Sequence, residues 1–78
     1  MTFDEALKAR IMELCDKNKI TLNKLCTQAG VTHSTLASFL SGKTQVPKAN
    51  TVYYIALGFN MTLSEFYNSP FFIDIDDE

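Results

Sequence analysis

The stretch that decides the fold is residues 21–43, which read TLNKLCTQAGVTHSTLASFLSGK. Apolar residues recur at helical spacing on both sides of Gly30, and this predicts one short helix ending at Ala29 and another beginning after Thr32. Glycine tolerates the left-handed backbone of a sharp turn, so the two helices are expected to cross at a steep angle. The stretch therefore predicts a helix-turn-helix. The residues expected to hold it together are Leu25, Cys26, Val31, Leu36 and Phe39.

Helix-start signals divide the rest of the chain. The starts are expected at four threonines that can cap a helix through the side-chain oxygen, namely Thr2, Thr21, Thr32 and Thr62. Glu5 and Glu65 stand where they complete capping boxes with the first and the last of these. Apolar spacing then predicts a first helix that frays near Asn18, a fourth ending at Gly58 and a fifth that ends before Pro70. The expected fold is all-α, a compact five-helix bundle.

The C-terminal segment is expected to form a short tail outside the five helices. Residues 1–70 are predicted to form one domain and residues 71–78 an apolar-then-acidic tail, FFIDIDDE, whose apolar half is extended and docked on the body. Four of the nine Asp and Glu residues lie in the last five positions. Residues 1–73 therefore carry seven Lys or Arg against five Asp or Glu, a net charge of +2 within a chain of net charge −2.

Composition excludes several classes of protein. A chain of 78 residues, 46% hydrophobic and 21% charged, is long enough for one packed domain. It has no long apolar run and no leader-like N-terminus, so a cytoplasmic protein without a membrane partner is expected. Two cysteines and one histidine are too few for a zinc site, and no metal or other cofactor is expected. Glu5, Glu13 and Glu65 fall on separate helical sites, and an enzyme is not expected.

The start of the third helix carries the predicted functional residues. His33, Ser34 and Thr35 point outward there, and Ser38 follows one turn later. These side chains are short and polar, and they form the hydrogen bonds that base edges in a major groove require.

Residues 21–43, Pro47 and residues 55–66 (IALGFNMTLSEF) together resemble the phage repressor and Cro-like transcriptional regulators, often called the xenobiotic-response-element family. The resemblance covers roughly residues 5 to 68. It implies a bundle of the phage-repressor type and a sequence-specific regulator, a repressor, that binds double-stranded DNA as a homodimer.

The resemblance also implies roles for individual residues. It places base contacts at His33, Ser34 and Ser38. Contacts to the DNA backbone are implied for Thr21, Thr32, Thr35, Ser41, Lys43 and Lys48. A dimer interface is implied at Phe59, Met61 and Thr62.

Three departures from the family pattern affect these expectations. Cys26 stands where alanine is usual, and Leu22 replaces a frequently polar residue that contacts phosphate. The recognition face carries no Arg or Lys, so the strongest guanine contact is missing and modest affinity is expected.

An alternative interpretation is that the chain is an antitoxin or interaction module that binds a small protein partner. Tyr53, Tyr54, Phe59 and Tyr67 cannot all be buried in so small a body, so one or two are expected at the surface. Packing of these rings against Phe71 and Phe72 is an equal alternative.

Overall fold

A computed structural model describes residues 1–42 and 47–76. The elements are α1 (Phe3–Asn18), α2 (Leu22–Ala29), α3 (His33–Leu40), α4 (Ala49–Gly58) and α5 (Leu63–Tyr67), followed by a 3₁₀ turn at Pro70–Phe72. These ranges contain no β-strand, and the predicted all-α fold is confirmed. Within the same ranges no helix is both long and apolar enough to cross a membrane.

One apolar core joins all five helices. Its largest fully buried side chains come from every helix, and they are Leu7, Ile11, Leu25, Leu36, Phe39, Ile55 and Phe66. The i, i+3 and i+4 spacing that predicted the helices is the spacing that places these residues on inward faces.

Three of the four predicted threonine caps are confirmed. The Thr2 hydroxyl accepts the Glu5 amide at 3.3 Å, and the Thr62 hydroxyl accepts the Glu65 amide at 3.1 Å. Each glutamate carboxylate in turn accepts a hydrogen bond from the backbone amide of its threonine, so both capping boxes are closed. The third cap lies at Thr21 and is described with the site below.

The predicted side-chain cap at Thr32 is wrong. Thr32 occupies the N-cap position of α3, but its side chain makes no cap hydrogen bond. Its hydroxyl instead lies 2.6 Å from the Thr35 hydroxyl. A second hydroxyl three residues along the chain therefore competes with the backbone amide for the same oxygen.

The close contact between α2 and α4 explains why residue 58 is a glycine. This residue has ordinary helical geometry, and its role is steric, because a Cβ added there would lie 2.9 Å from the Ala29 Cβ. Two glycines do adopt the left-handed backbone, Gly30 with φ of 72° and Gly42 with φ of 82°. The residue after α1 also does so, Lys19 with φ of 55°.

The tail is docked, although it is not extended as predicted. Pro70, Phe71 and Phe72 form a 3₁₀ turn, because proline at the first position has its backbone already set for a helical turn. The Phe72 ring lies 4.9 Å from the Tyr67 ring, between centroids, and 6.2 Å from the Phe3 ring. Ile73, also expected to dock, is 75% exposed.

Candidate nucleic-acid interface

A three-residue turn fixes α3 against α2. Gly30 takes the left-handed conformation after α2, and its amide donates to the Cys26 carbonyl at 2.9 Å. The Val31 amide donates to the same carbonyl at 3.1 Å. Leu25 and Cys26 of α2 and Leu36 and Phe39 of α3 are buried in the common core. The predicted helix-turn-helix is thus formed, and its second helix is held by packing and by the turn together.

The outward side of α3 is polar. Thr32, His33, Ser34 and Thr35 are exposed, and Ser38 is half-buried. The inward side is closed, because Leu36 and Phe39 are each only 1% exposed. The structure therefore brings together, on one accessible surface, the three residues predicted to contact bases.

Hydrogen bonds within this surface restrict its hydroxyl groups. The Thr32 and Thr35 hydroxyls, 2.6 Å apart, share one hydrogen bond, so the pair retains a single free donor. The Ser41 hydroxyl donates to the Ser38 carbonyl at 3.0 Å, at the end of α3. These bonds hold three of the hydroxyls in place before any ligand arrives.

Two of the residues predicted to contact the DNA backbone, Thr32 and Thr35, belong to this polar surface, and the others precede or follow it in the sequence. The Thr21 hydroxyl caps α2 by accepting the Lys24 amide at 3.1 Å. Lys48 is exposed at the N-cap position of α4, and its side chain makes no cap hydrogen bond. Lys43 lies outside the residues that the structure describes.

The charges are segregated along the chain more sharply than the net charge of residues 1–73 indicates. Residues 17–64 contain five lysines and neither Asp nor Glu, a net charge of +5. The acidic residues are confined to residues 1–16 and 65–78. A charge count over segments, in place of one sum over residues 1–73, finds this signal. The helix-turn-helix therefore lies wholly within the basic segment, as binding to phosphates favours.

Both cysteines are free and buried, as expected for small core residues. Burial raises the pKa of the Cys15 thiol, and the nearby Cys26 raises it further. Burial also raises the pKa of Cys26. Among residues 1–42 and 47–76, no cluster of His, Cys, Asp or Glu side chains could hold a metal ion.

The aromatic residues divide as predicted between core and surface. Tyr53 and Tyr54 of α4 are 44% and 45% exposed, whereas Phe59 is 8% exposed. Tyr67 is half-buried and packs edge-on against both Phe66 and Phe72.

Comparison with known proteins agrees with this geometry. The sequence model of the Cro/C1-type HTH DNA-binding domain matches residues 10–70, which include every helix from α2 to α5. The chain belongs to this family, and it is a DNA-binding regulator.

One solved structure shows how closely the fold is shared. The crystal structure of the prophage Lp1 protein 11 superposes with a TM-score of 0.81 over 96% of this chain and 99% of that one. The two sequences are 23% identical, so this likeness concerns the fold alone. No curated protein sequence matches the chain.

Proposed function

We propose that the protein is a transcriptional repressor that binds a palindromic operator as a homodimer and inserts α3 into the major groove. The observation that carries this proposal is the exposed polar surface of α3, Thr32 to Thr35, above a fully buried apolar side. An α-helix fits the width of the major groove, where each base pair presents a distinct set of donors and acceptors.

In this proposal the base contacts come from one side of α3. His33 and Ser34 lie in its first turn and are exposed, and Ser38 lies one turn beyond Ser34. Residues four apart on a helix are neighbours on its surface, so Ser34 and Ser38 face adjacent base pairs.

The phosphate contacts surround these base readers. Hydroxyls of Thr21, Thr32, Thr35 and Ser41 and the ammonium groups of Lys43 and Lys48 are assigned to the DNA backbone. Lys48 stands at the N-terminus of α4, where free amides and the helix dipole also favour a phosphate.

The proposed dimer surface lies at the turn from α4 to α5. Phe59 is buried beneath this turn, Met61 is half-buried and Thr62 is exposed. Leu57 and Leu63, on either side of it, are 50% and 38% exposed. Two-fold pairing through this surface joins two recognition helices, with half-sites about one helical turn apart.

Selection of bound sequences from a random DNA pool tests the proposal. A two-fold symmetric consensus is expected, and recovery of sequences with no common element would overturn the repressor function. Ser38→Ala is expected to change the sequence preference at one position, whereas Lys48→Ala weakens binding to all sequences and lowers the salt slope by about one.

Sedimentation tests the dimer separately. The wild-type chain is expected to sediment as a dimer on its selected DNA, and Leu57→Glu is expected to sediment as a monomer with an unchanged helical spectrum. A wild-type chain that stays monomeric both free and on DNA would contradict this part of the proposal.

The exposed tyrosines favour a second candidate function, binding of a small protein partner. The Tyr53 and Tyr54 rings lie 5.8 Å apart between centroids, and Leu57 is exposed on the same helix. Aromatic side chains are enriched at protein interfaces. A double Tyr53→Ser, Tyr54→Ser variant is expected to lose a partner captured by the wild-type chain and to keep its DNA binding. Equal capture by both chains would exclude this surface.

A further inference from the structure

The recognition surface lacks the side chains that select guanine. From Val31 to Gly42 the sequence contains no Arg, Lys, Asn or Gln. Arginine and lysine make the commonest specific contact to guanine, and asparagine or glutamine makes the corresponding bidentate contact to adenine. Serine and threonine hydroxyls hydrogen-bond to either kind of base pair, so their contacts alone discriminate weakly.

Besides the His33 imidazole, methyl groups remain as a selective feature of this surface. Ala37 is half-buried, and it lies four residues after His33 and three after Ser34, on the side of α3 proposed to read bases. In the major groove, the apolar partner of such methyl groups is the 5-methyl group of thymine.

Small side chains also permit close approach. Ser34, Ala37 and Ser38 are among the smallest residues, and Leu36, which lies between them in the sequence, is buried in the core. The backbone of α3 is therefore able to lie near the base edges, which brings a single methyl group within van der Waals contact of thymine.

We propose that α3 recognises a thymine methyl group through Ala37, so that the operator half-site carries an A·T pair where Ala37 faces it. This inference rests on the proposed major-groove binding by α3. It names the class of DNA that the surface selects.

Removal of single DNA methyl groups tests the inference. In the selected operator, each thymine is replaced in turn by deoxyuridine, which differs from thymine only in the 5-methyl group. Binding is expected to weaken about fourfold at the position facing Ala37, because one buried methyl group contributes about that much. Restoring a methyl group with a 5-methylcytosine·guanine pair is expected to bind more tightly there than cytosine·guanine.

Protein variants test the same methyl contact. Ala37→Gly is expected to bind the thymine and deoxyuridine operators equally, since the protein methyl group is gone. Ser34→Gly introduces the same helix-loosening residue and leaves Ala37 in place, so its affinity for both operators falls together and their ratio stays near fourfold. Thermal melts followed by circular dichroism establish that each variant is folded at the temperature of the titration. Ala37→Ser is a second variant, in which a hydroxyl group replaces one hydrogen of the methyl group and the Cβ is kept.

The possible outcomes distinguish failure of methyl recognition from failure of the proposed repressor function. A consensus half-site with no A·T pair, or equal binding of thymine and deoxyuridine at every position, would overturn methyl recognition while leaving the repressor proposal intact. Selection that returns no consensus would overturn both.

Discussion

At the scale of single residues, Gly58 is the glycine least tolerant of an added Cβ. A Cβ there would meet the Ala29 Cβ at 2.9 Å and the Ala29 Cα and backbone nitrogen at 3.1 Å. Alanine is otherwise the better helix former, so any loss of stability on Gly58→Ala reports this contact. We expect a loss of about 1 to 3 kcal/mol in the free energy of unfolding, measured by urea denaturation.

The Ala29→Gly background controls this experiment. It removes the 2.9 Å contact and keeps the two backbone contacts at 3.1 Å. The double variant is therefore expected to be more stable than the sum of the single effects, but less stable than Ala29→Gly alone. Strict additivity would show that the two positions are not in steric contact.

The buried thiols give a prediction about pH. Burial raises the pKa of Cys15 and Cys26, so the folded state favours the protonated thiols. The stability that this supplies is complete below the ordinary pKa of an unfolded cysteine and is lost as pH rises through and above that value. Urea denaturation between pH 7 and 10 is expected to show stability falling at the alkaline end, and a Cys15→Ala, Cys26→Ala variant to show a smaller fall. An identical pH dependence in the two chains would contradict the assignment to the thiols.

At the scale of elements, a buried arginine ties α5 to α1. The Arg10 Nε donates to the Phe66 carbonyl at 2.7 Å, and Nη2 donates to the Glu65 carbonyl at 2.9 Å. The Nη1 atom lies 2.8 Å from a Glu13 carboxylate oxygen. A five-residue helix has few bonds of its own, so these contacts position α5.

Replacement of Arg10 tests this role. Arg10→Met leaves two carbonyls without their donor and is expected to cost about 3 kcal/mol in the free energy of unfolding. Glu13→Gln is the matched variant. Because the Glu13 side chain is 37% exposed, loss of its ion pair with Arg10 is expected to lower the free energy of unfolding by less than about 1 kcal/mol. If the two variants were equally destabilised in urea, the ion pair would matter more than the carbonyl contacts.

Some features of the helices could be predicted from the sequence, and others could not. Helix starts at Thr2, Thr21 and Thr62 were predictable because a cap depends only on residues within one turn. The helix start at Thr32 was also correct, but its side-chain cap was not, because the Thr35 hydroxyl, equally local, offers another partner to the same oxygen. Arg10 was not predictable, since its acceptors lie 55 and 56 residues away along the chain.

For the candidate site, periodicity predicted which side of α3 faces outward because burial of Leu36 and Phe39 fixes the rotation of the helix. The DNA contacts of His33, Ser34 and Ser38 stay predictions. They depend on the docking of a partner, which no local pattern of this chain determines.

At the scale of the whole molecule, the tail joins the two ends of the chain. The Phe72 ring packs against rings from α1 and α5, those of Phe3, Phe66 and Tyr67. The Asp76 amide donates to the Met1 carbonyl at 3.0 Å. The first and last described residues are thereby held together.

Unequal burial predicts unequal effects within the tail. Phe72→Ala is expected to cost about 2 kcal/mol and to lower the melting temperature by roughly 8 °C or more, because a packed aromatic side chain is removed from a small domain. Ile73→Ala is the control, since Ile73 is 75% exposed, and its effect is expected to stay within about 0.5 kcal/mol. Equal melting temperatures for Phe72→Ala and the wild type would show that the tail is not part of the core.

The acidic end of the tail is expected to act on DNA binding through its charge. Residues 17–64 carry a net charge of +5, and the four acids Asp74, Asp76, Asp77 and Glu78 oppose it along the chain. Their repulsion of phosphates is expected to suppress binding to arbitrary DNA, where affinity depends on charge alone. Changing the four acids to their amides moves the net charge of the chain from −2 to +2.

This neutral-tail variant is expected to bind random-sequence duplex about tenfold more tightly than wild type at low salt. The difference should vanish near 0.5 M salt, where screening acts over about 4 Å. A second variant, with glutamate at each of the three aspartates, preserves the charge and is expected to bind as wild type does. The Asp76 carboxylate lies 2.8 Å from the N-terminal ammonium group of Met1. Asp76→Asn alone, followed by thermal melting, measures how much of any change comes from the loss of this ion pair. If the neutral tail left non-specific affinity unchanged at every salt concentration, the acids would have no part in DNA binding, and the tail would act through its packing alone.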